Sequence, residues 1–129
     1  MTKHLLFNQI NISPLLKATE TFDEALQQAD TPLTRDGAIQ RFEYCFELAW
    51  KTMKRILKYR GIIMNSPREV FRSAGQEGLI ESVEQWLIFL EHRNNTVHTY
   101  NAELADEIFA ALPAFGQHLH QFIVHIRSL

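Results

Sequence analysis

The chain has 129 residues, 46% of them hydrophobic, with 13 basic and 15 acidic side chains, six histidines and a single cysteine. That length fits one domain, residues 1–129, with a core that needs no disulfide; Cys45 has no second cysteine to pair with and is expected to pack as a small apolar residue. A net charge of −2 excludes a general polyanion binder, no apolar run approaches the roughly 20 residues that span a bilayer, and Met1-Thr-Lys-His opens no secretory pattern, so a cytoplasmic protein with no membrane partner is expected.

Nearly every long segment has helical period. Residues 5–12 add a turn to the first helix or form a short separate one. Ser13-Pro14 predicts an N-cap followed by a first-turn proline, and Leu15, Leu16, Ala18, Thr19, Phe22 and Leu26 give a stripe to about residue 30. Thr31-Pro32 breaks the pattern. A second helix is predicted over about 35–59, with Phe42, Phe46, Ala49, Trp50, Met53, Ile56 and Leu57 on one face and Gly61 as its C-cap residue. A short third helix begins at Ser66-Pro67 and reaches about residue 74, before a loop marked by Gly75 and Gly78.

Ser82 and Gln85 have the spacing of a capping box, and Val83, Trp86, Leu87, Leu90 and Val97 follow on one side of a fourth helix. Asn101 caps the last helix, whose inner stripe is Leu104, Ile108, Leu112, Phe115, Leu119, Phe122 and Ile126, with an expected kink at Pro113. No strand-length alternation and no repeat is apparent. The expected fold is all-α: an up-and-down bundle of four long helices plus one short helix.

The chemistry concentrates in Arg93-Asn-Asn-Thr-Val-His98-Thr-Tyr100. Arg supplies a permanent planar cation suited to phosphate, His the proton carrier best placed near neutral pH, and Tyr a hydroxyl open to modification. On an ideal helix Arg93 and His98 lie about 140° and about 7.5 Å apart, so they converge only if the helix ends before His98 or both lean into one groove. Arg93 and Tyr100, seven apart, would share a face. The spacing equally suits a helix-end arginine with an acidic partner and a histidine on terminal carbonyls.

Charge is unevenly spread. Residues 35–72 hold nine basic and four acidic side chains, leaving the rest of the chain strongly acidic. Lys51, Lys54, Arg55 and Lys58 form a basic stripe at helical spacing, either a solvated face or a surface that tracks phosphates, and Glu47 pairs with Lys51 at i, i+4. His118 and His125 share a face but lie roughly 10 Å apart along it, too far for one ion, so no metal site is expected. No phosphate-cradling glycine loop is present and no cofactor is expected.

The Arg93-x4-His98-x-Tyr100 pattern resembles the signature of the HEPN superfamily. Arg41-Phe-Glu-Tyr-Cys-Phe-Glu-Leu-Ala-Trp-Lys51, followed by Lys58-Tyr-Arg-Gly61, resembles the second helix of its HepT-type branch, and Ser66-Pro-Arg-Glu-Val-Phe-Arg-Ser-Ala74 the third. The resemblance runs over nearly the whole chain. It implies a homodimeric helical bundle that assembles with a cognate minimal nucleotidyltransferase antitoxin. It implies an endoribonuclease toxin with Arg93 and His98 catalytic and Tyr100 accepting AMP from the partner; Asn94 agrees with the family pattern and, with the Lys51, Lys54, Arg55, Lys58 stripe read from spacing, is expected to support substrate. The branch's older description, a non-catalytic nucleotide- or substrate-binding subunit of a two-component nucleotidyltransferase, is the alternative.

Overall fold

The structure, a computed structural model, describes residues 4–129. Its helices are α1 (Ser13–Gln27), α2 (Pro32–Tyr59), α3 (Pro67–Gln76), α4 (Val83–Asn95) and α5 (Ala102–Arg127), with a 3₁₀ turn at Thr96–His98. The long helices α1, α2, α4 and α5 make the expected up-and-down bundle, and the short α3 packs on α2 and α4.

The first described segment is a hairpin and not a helical turn. Strand β1 (Leu5–Leu6) pairs antiparallel with β2 (Ile10–Asn11), Leu6 opposite Ile10. Phe7 and Asn8 take φ of 53° and 60°, a left-handed pair that no right-handed helix can contain. The Phe7 ring lies flat on Tyr59, centroids 4.1 Å apart, which offsets the backbone strain. A period-2 signal is present: Leu6, Ile10 and Ile12 are buried.

Helix starts follow local chemistry, with small corrections. Ser13 is the first residue of α1 rather than its cap; Ile12 holds the cap position and the Asn11 side chain accepts the Ser13 N–H at 3.0 Å. Thr31-Pro32 does break the pattern, between α1 and α2, but it also starts α2 three residues before the expected 35, because Thr31 forms a reciprocal capping box with Thr34 and Pro32 fills the first turn. Ser66 and Glu69 make the same device for α3. At Ser82 only half the box forms, the hydroxyl accepting from the Gln85 N–H. Helix α2 ends where Gly61, at φ 84°, lets the Ile62 N–H reach the Leu57 carbonyl at 2.8 Å.

The core is a continuous aromatic cluster. Phe115 of α5 lies within 6.4 Å of Phe22, Phe42, Phe46, Trp86 and Phe89, so one ring touches α1, α2 and α4. Helix α5 continues through Pro113, which lies on its exposed side. Val97, expected on the inner stripe of α4, is 69% exposed, since the α-helix has ended before it.

Cys45 is buried and its thiol donates to the Ala18 carbonyl at 3.2 Å. Burial, with Asp23 nearby, pushes its pKa up to about 12. The folded state thus keeps a proton that the unfolded chain releases, so this contribution to stability is lost as pH rises from the ordinary thiol range toward 12. Native protein should resist iodoacetamide at about pH 8, with labelling appearing only alongside unfolding; rapid labelling of folded protein contradicts a sealed thiol.

Candidate functional site

The end of α4 determines the geometry of the Arg93–Tyr100 segment. The α-helix stops at Asn95 and tightens into the 3₁₀ turn, with the Thr96 hydroxyl donating to the Arg93 carbonyl at 2.8 Å. The Asn101 N–H then returns to the His98 carbonyl at 3.0 Å, and the Asn101 side chain caps α5 through the Leu104 N–H at 3.2 Å. Of the two ways foreseen for Arg93 and His98 to converge, the chain takes the first half of one: the helix ends before His98.

The structure brings His98 and Tyr100 together. Their Nδ1 and phenol oxygen are 3.3 Å apart, with the rings edge to face at 5.8 Å. The phenol donates when Nδ1 carries no proton. Both residues are exposed, Tyr100 by 85%. The expected i, i+7 pairing of Tyr100 with Arg93 does not apply, because the intervening residues are not α-helical throughout.

Arg93 is half-buried, and its Nε is shielded from solvent without a hydrogen-bond partner. Among the described residues no ion pair involves it; the two ion pairs join Arg60 to Glu77 and His120 to Asp23. Among the described residues, then, no acidic neighbour holds Arg93 at the end of the helix. A desolvated guanidinium nitrogen without a partner is costly, and an incoming anion relieves that cost. Among the described residues no hydrogen bond joins Arg93 to His98. Asn94 lies at the surface beside them.

Thr96, Thr99 and Tyr100 line two clefts together with the first third of α2. A cleft of about 260 Å³ runs between Arg35 and Asp36 of α2, Tyr100, and Asp106 and Phe109 of α5. A second of about 370 Å³ lies between Gln40 and Glu43 of α2 and Thr96 and Thr99. Arg35, whose guanidinium sits 5.1 Å above the Phe109 ring, is a cation at the site that the sequence does not reveal, because it lies far from Arg93 along the chain. Asp36 and Asp106 line the same cleft.

Lys51, Lys54, Arg55 and Lys58 are not brought to the motif within one chain. They begin about 12 Å beyond Glu43 along the α2 axis and end about 22 Å beyond it. Lys54 lies 5.9 Å over Trp50, and Glu47 accepts from the Trp50 indole at 2.8 Å instead of pairing with Lys51. A separate cleft of about 430 Å³ between α1 and α5 contains Asp23 bonded to His120 at 2.8 Å. Among the described residues no three His, Cys, Asp or Glu side chains converge as a metal site, and no helix is long and apolar enough to cross a membrane.

The model of the family described as nucleotidyltransferase substrate binding protein like matches residues 10–128. The chain belongs to this family. A Haemophilus influenzae protein named Probable ribonuclease HepT is 36% identical over 84 residues, a match covering 61% of this chain and 58% of that protein. The chain thus spans less than two thirds of that relative. A solved structure from Thermus thermophilus superposes with a TM-score of 0.83 at 38% identity, covering 88% of this chain and 98% of the other. A Haemophilus influenzae structure, described as revealing the fold of a substrate binding domain of a nucleotidyltransferase, gives 0.83 at 26% identity over 91% and 99%. The HepT-type resemblance drawn from the motif and from helices two and three agrees with this family.

Proposed function

We propose that this protein is the HEPN-type toxin of a toxin–antitoxin pair: a metal-independent endoribonuclease, acting in the cytoplasm and neutralised when a cognate minimal nucleotidyltransferase transfers AMP to Tyr100. The observation that carries the reading is the exposed His98–Tyr100 pair at the tip of α4, beside Arg93 with its unpartnered guanidinium nitrogen. The name of the Haemophilus relative supports it.

RNA brings its own nucleophile. A base removes the proton of the 2′-hydroxyl, the oxygen attacks the adjacent phosphorus, and the 5′-oxygen leaves with a proton returned to it. The products are a 2′,3′-cyclic phosphate and a 5′-hydroxyl. His98 serves as base or acid, and Arg93 binds charge gathering on the phosphoryl oxygens, the contribution that is usually largest. One imidazole cannot occupy both sides of an in-line reaction, so a homodimer with two motifs facing one groove supplies the second group. Single-stranded RNA fits best, because its backbone can bend into line.

Adenylylation follows from the same contact. The Tyr100 oxygen attacks the α-phosphorus of a nucleoside triphosphate held by the partner, pyrophosphate leaves, and the phenol proton is lost to the nearby imidazole or to water. The attached phosphate and nucleoside then lie over His98 and close it to RNA.

Two measurements test this. Purified protein incubated with single-stranded RNA in EDTA should yield cyclic-phosphate ends; no cleavage at any protein concentration counts against the nuclease. Co-expression with the nucleotidyltransferase should add AMP-sized mass that is lost in Tyr100→Phe. The family's description favours a second reading, a non-catalytic nucleotide- or substrate-binding subunit of a two-component nucleotidyltransferase. Nucleotide and partner binding without any RNA cleavage would select it.

A further inference from the structure

The cleft beside Tyr100 is ringed by charges that do not meet. Arg35, Asp36 and Asp106 all line its roughly 260 Å³, yet among the described residues none of them enters an ion pair. Arg35 lies over the Phe109 ring instead, and all three stay exposed. Paired, they would neutralise one another. Held apart, they offer an entering molecule a fork of donors and two groups that only accept.

The rest of the lining is largely apolar, with Ile39, Ala105 and Phe109. A flat ring with apolar faces and a polar edge suits such a space. The volume admits one nucleobase and not a whole nucleotide. A phosphate suits it poorly, because two carboxylates repel it. Position points the same way: Tyr100 lines the cleft, and its hydroxyl lies 3.3 Å from the His98 imidazole. A base seated here leaves its own ribose and phosphate beside the proposed proton carrier.

We infer that this cleft is a base subsite and that it takes guanine. Guanine carries N1–H and the 2-amino group side by side, a donor pair that a carboxylate accepts with both oxygens. Its O6 and N7 accept together, the pair that a guanidinium addresses with two N–H groups. The two carboxylates take the donor edge and Arg35 the acceptor edge. No other RNA base offers both. Adenine and cytosine set an amino group next to a ring nitrogen that accepts, and uracil sets its one N–H between two carbonyls. Each turns a lone pair toward a carboxylate, which rejects it. Binding of the base stands apart from the nuclease reading; the place of the cut rests on it.

Titration of the full chain with GMP, AMP, CMP and UMP tests the binding, since the four share ribose and phosphate. GMP should bind about tenfold or more tightly than the other three. In Asp36→Asn with Asp106→Asn that advantage should shrink to about threefold or less, while UMP binds no worse, because the lost charges no longer repel its phosphate. Circular dichroism establishes folding; should the double variant unfold, each single substitution carries the same comparison. A second arm uses single-stranded RNA with one guanosine in a uridine tract, incubated in EDTA. Wild type should cut next to the guanosine, and the double variant should spread its cuts along the tract. GMP that binds no tighter than the others, or an advantage that survives the substitutions, overturns the inference. So does an equal gain for all four nucleotides, which assigns the carboxylates to general repulsion. Cuts placed without regard to guanosine overturn it too and leave the nuclease standing. A GMP preference that the variant loses, in a protein that cuts no RNA, refutes the nuclease and leaves the subsite standing.

Discussion

Replacing His98 with alanine is expected to lower RNA cleavage by roughly 10²- to 10⁴-fold, the range over which a positioned proton carrier contributes. The side chain is exposed and its one side-chain hydrogen bond is to Tyr100, so the fold should not register its loss. Unchanged melting with lost cleavage is the expected pair of results. Arg93→Ala should cost roughly 10²- to 10³-fold through lost charge stabilisation. Arg93→Lys separates charge from geometry: an ammonium keeps the charge but cannot present a planar fork, and recovery should be partial. Arg93 also carries a buried Nε without a partner, so removing it should leave stability unchanged or slightly raised. Full cleavage by either alanine variant, measured in EDTA against wild type, would falsify the assignment of these two residues. The comparison with Tyr100→Phe is informative because the hydroxyl lies against the imidazole: that variant should still cut RNA yet escape neutralisation by the nucleotidyltransferase.

The second large effect concerns stability. Phe115→Ala is expected to cost about 3–5 kcal/mol, the usual range for deleting a buried phenyl ring. Phe115 is fully buried, and it makes edge contacts with Phe42 at 4.8 Å, Phe89 at 5.3 Å and Phe22 at 5.5 Å, at interplanar angles of 86° to 89°. Each such pair adds to simple area burial. The rings come from three other helices, so collapse around the cavity would have to move several elements at once. For a domain of this size the melting temperature should fall by roughly 10–20 °C. Phe115→Leu, which refills much of the volume, should recover more than half of the loss. A fall of only a few degrees for the alanine variant would mean that the aromatic cluster is not the element that joins the four long helices.

Much of the fold is written in local pattern. The stripes of α1, α2 and α5, the caps at Ser66 and Asn101, and Gly61 at the end of α2 all lie where periodicity and capping chemistry place them, because each depends on residues within one or two turns. The same locality explains the departures. Thr31-Pro32 marks the break after α1, yet α2 starts there and not at about residue 35, because a threonine before proline ends one segment and starts another with the same letters. Segment 5–12 suggests a helical turn because two residues of left-handed backbone leave little trace when neither is glycine. Val97 fits the core only on a helical period that has already given way to a 3₁₀ turn.

Residue types and spacing determined the class of bundle, the family and the three side chains on which the proposed chemistry depends, since hydrophobic period, caps and a short motif are all local properties. Tertiary packing decided what surrounds those side chains. It left the Arg93 nitrogen buried and unpaired, brought Arg35 and a row of carboxylates to the motif, and kept the basic stripe of α2 away from it. The turn that ends α4 set Tyr100 on His98. Relations of the first kind join residues dozens of positions apart, and they arise only when helices that form independently bury their apolar faces against one another.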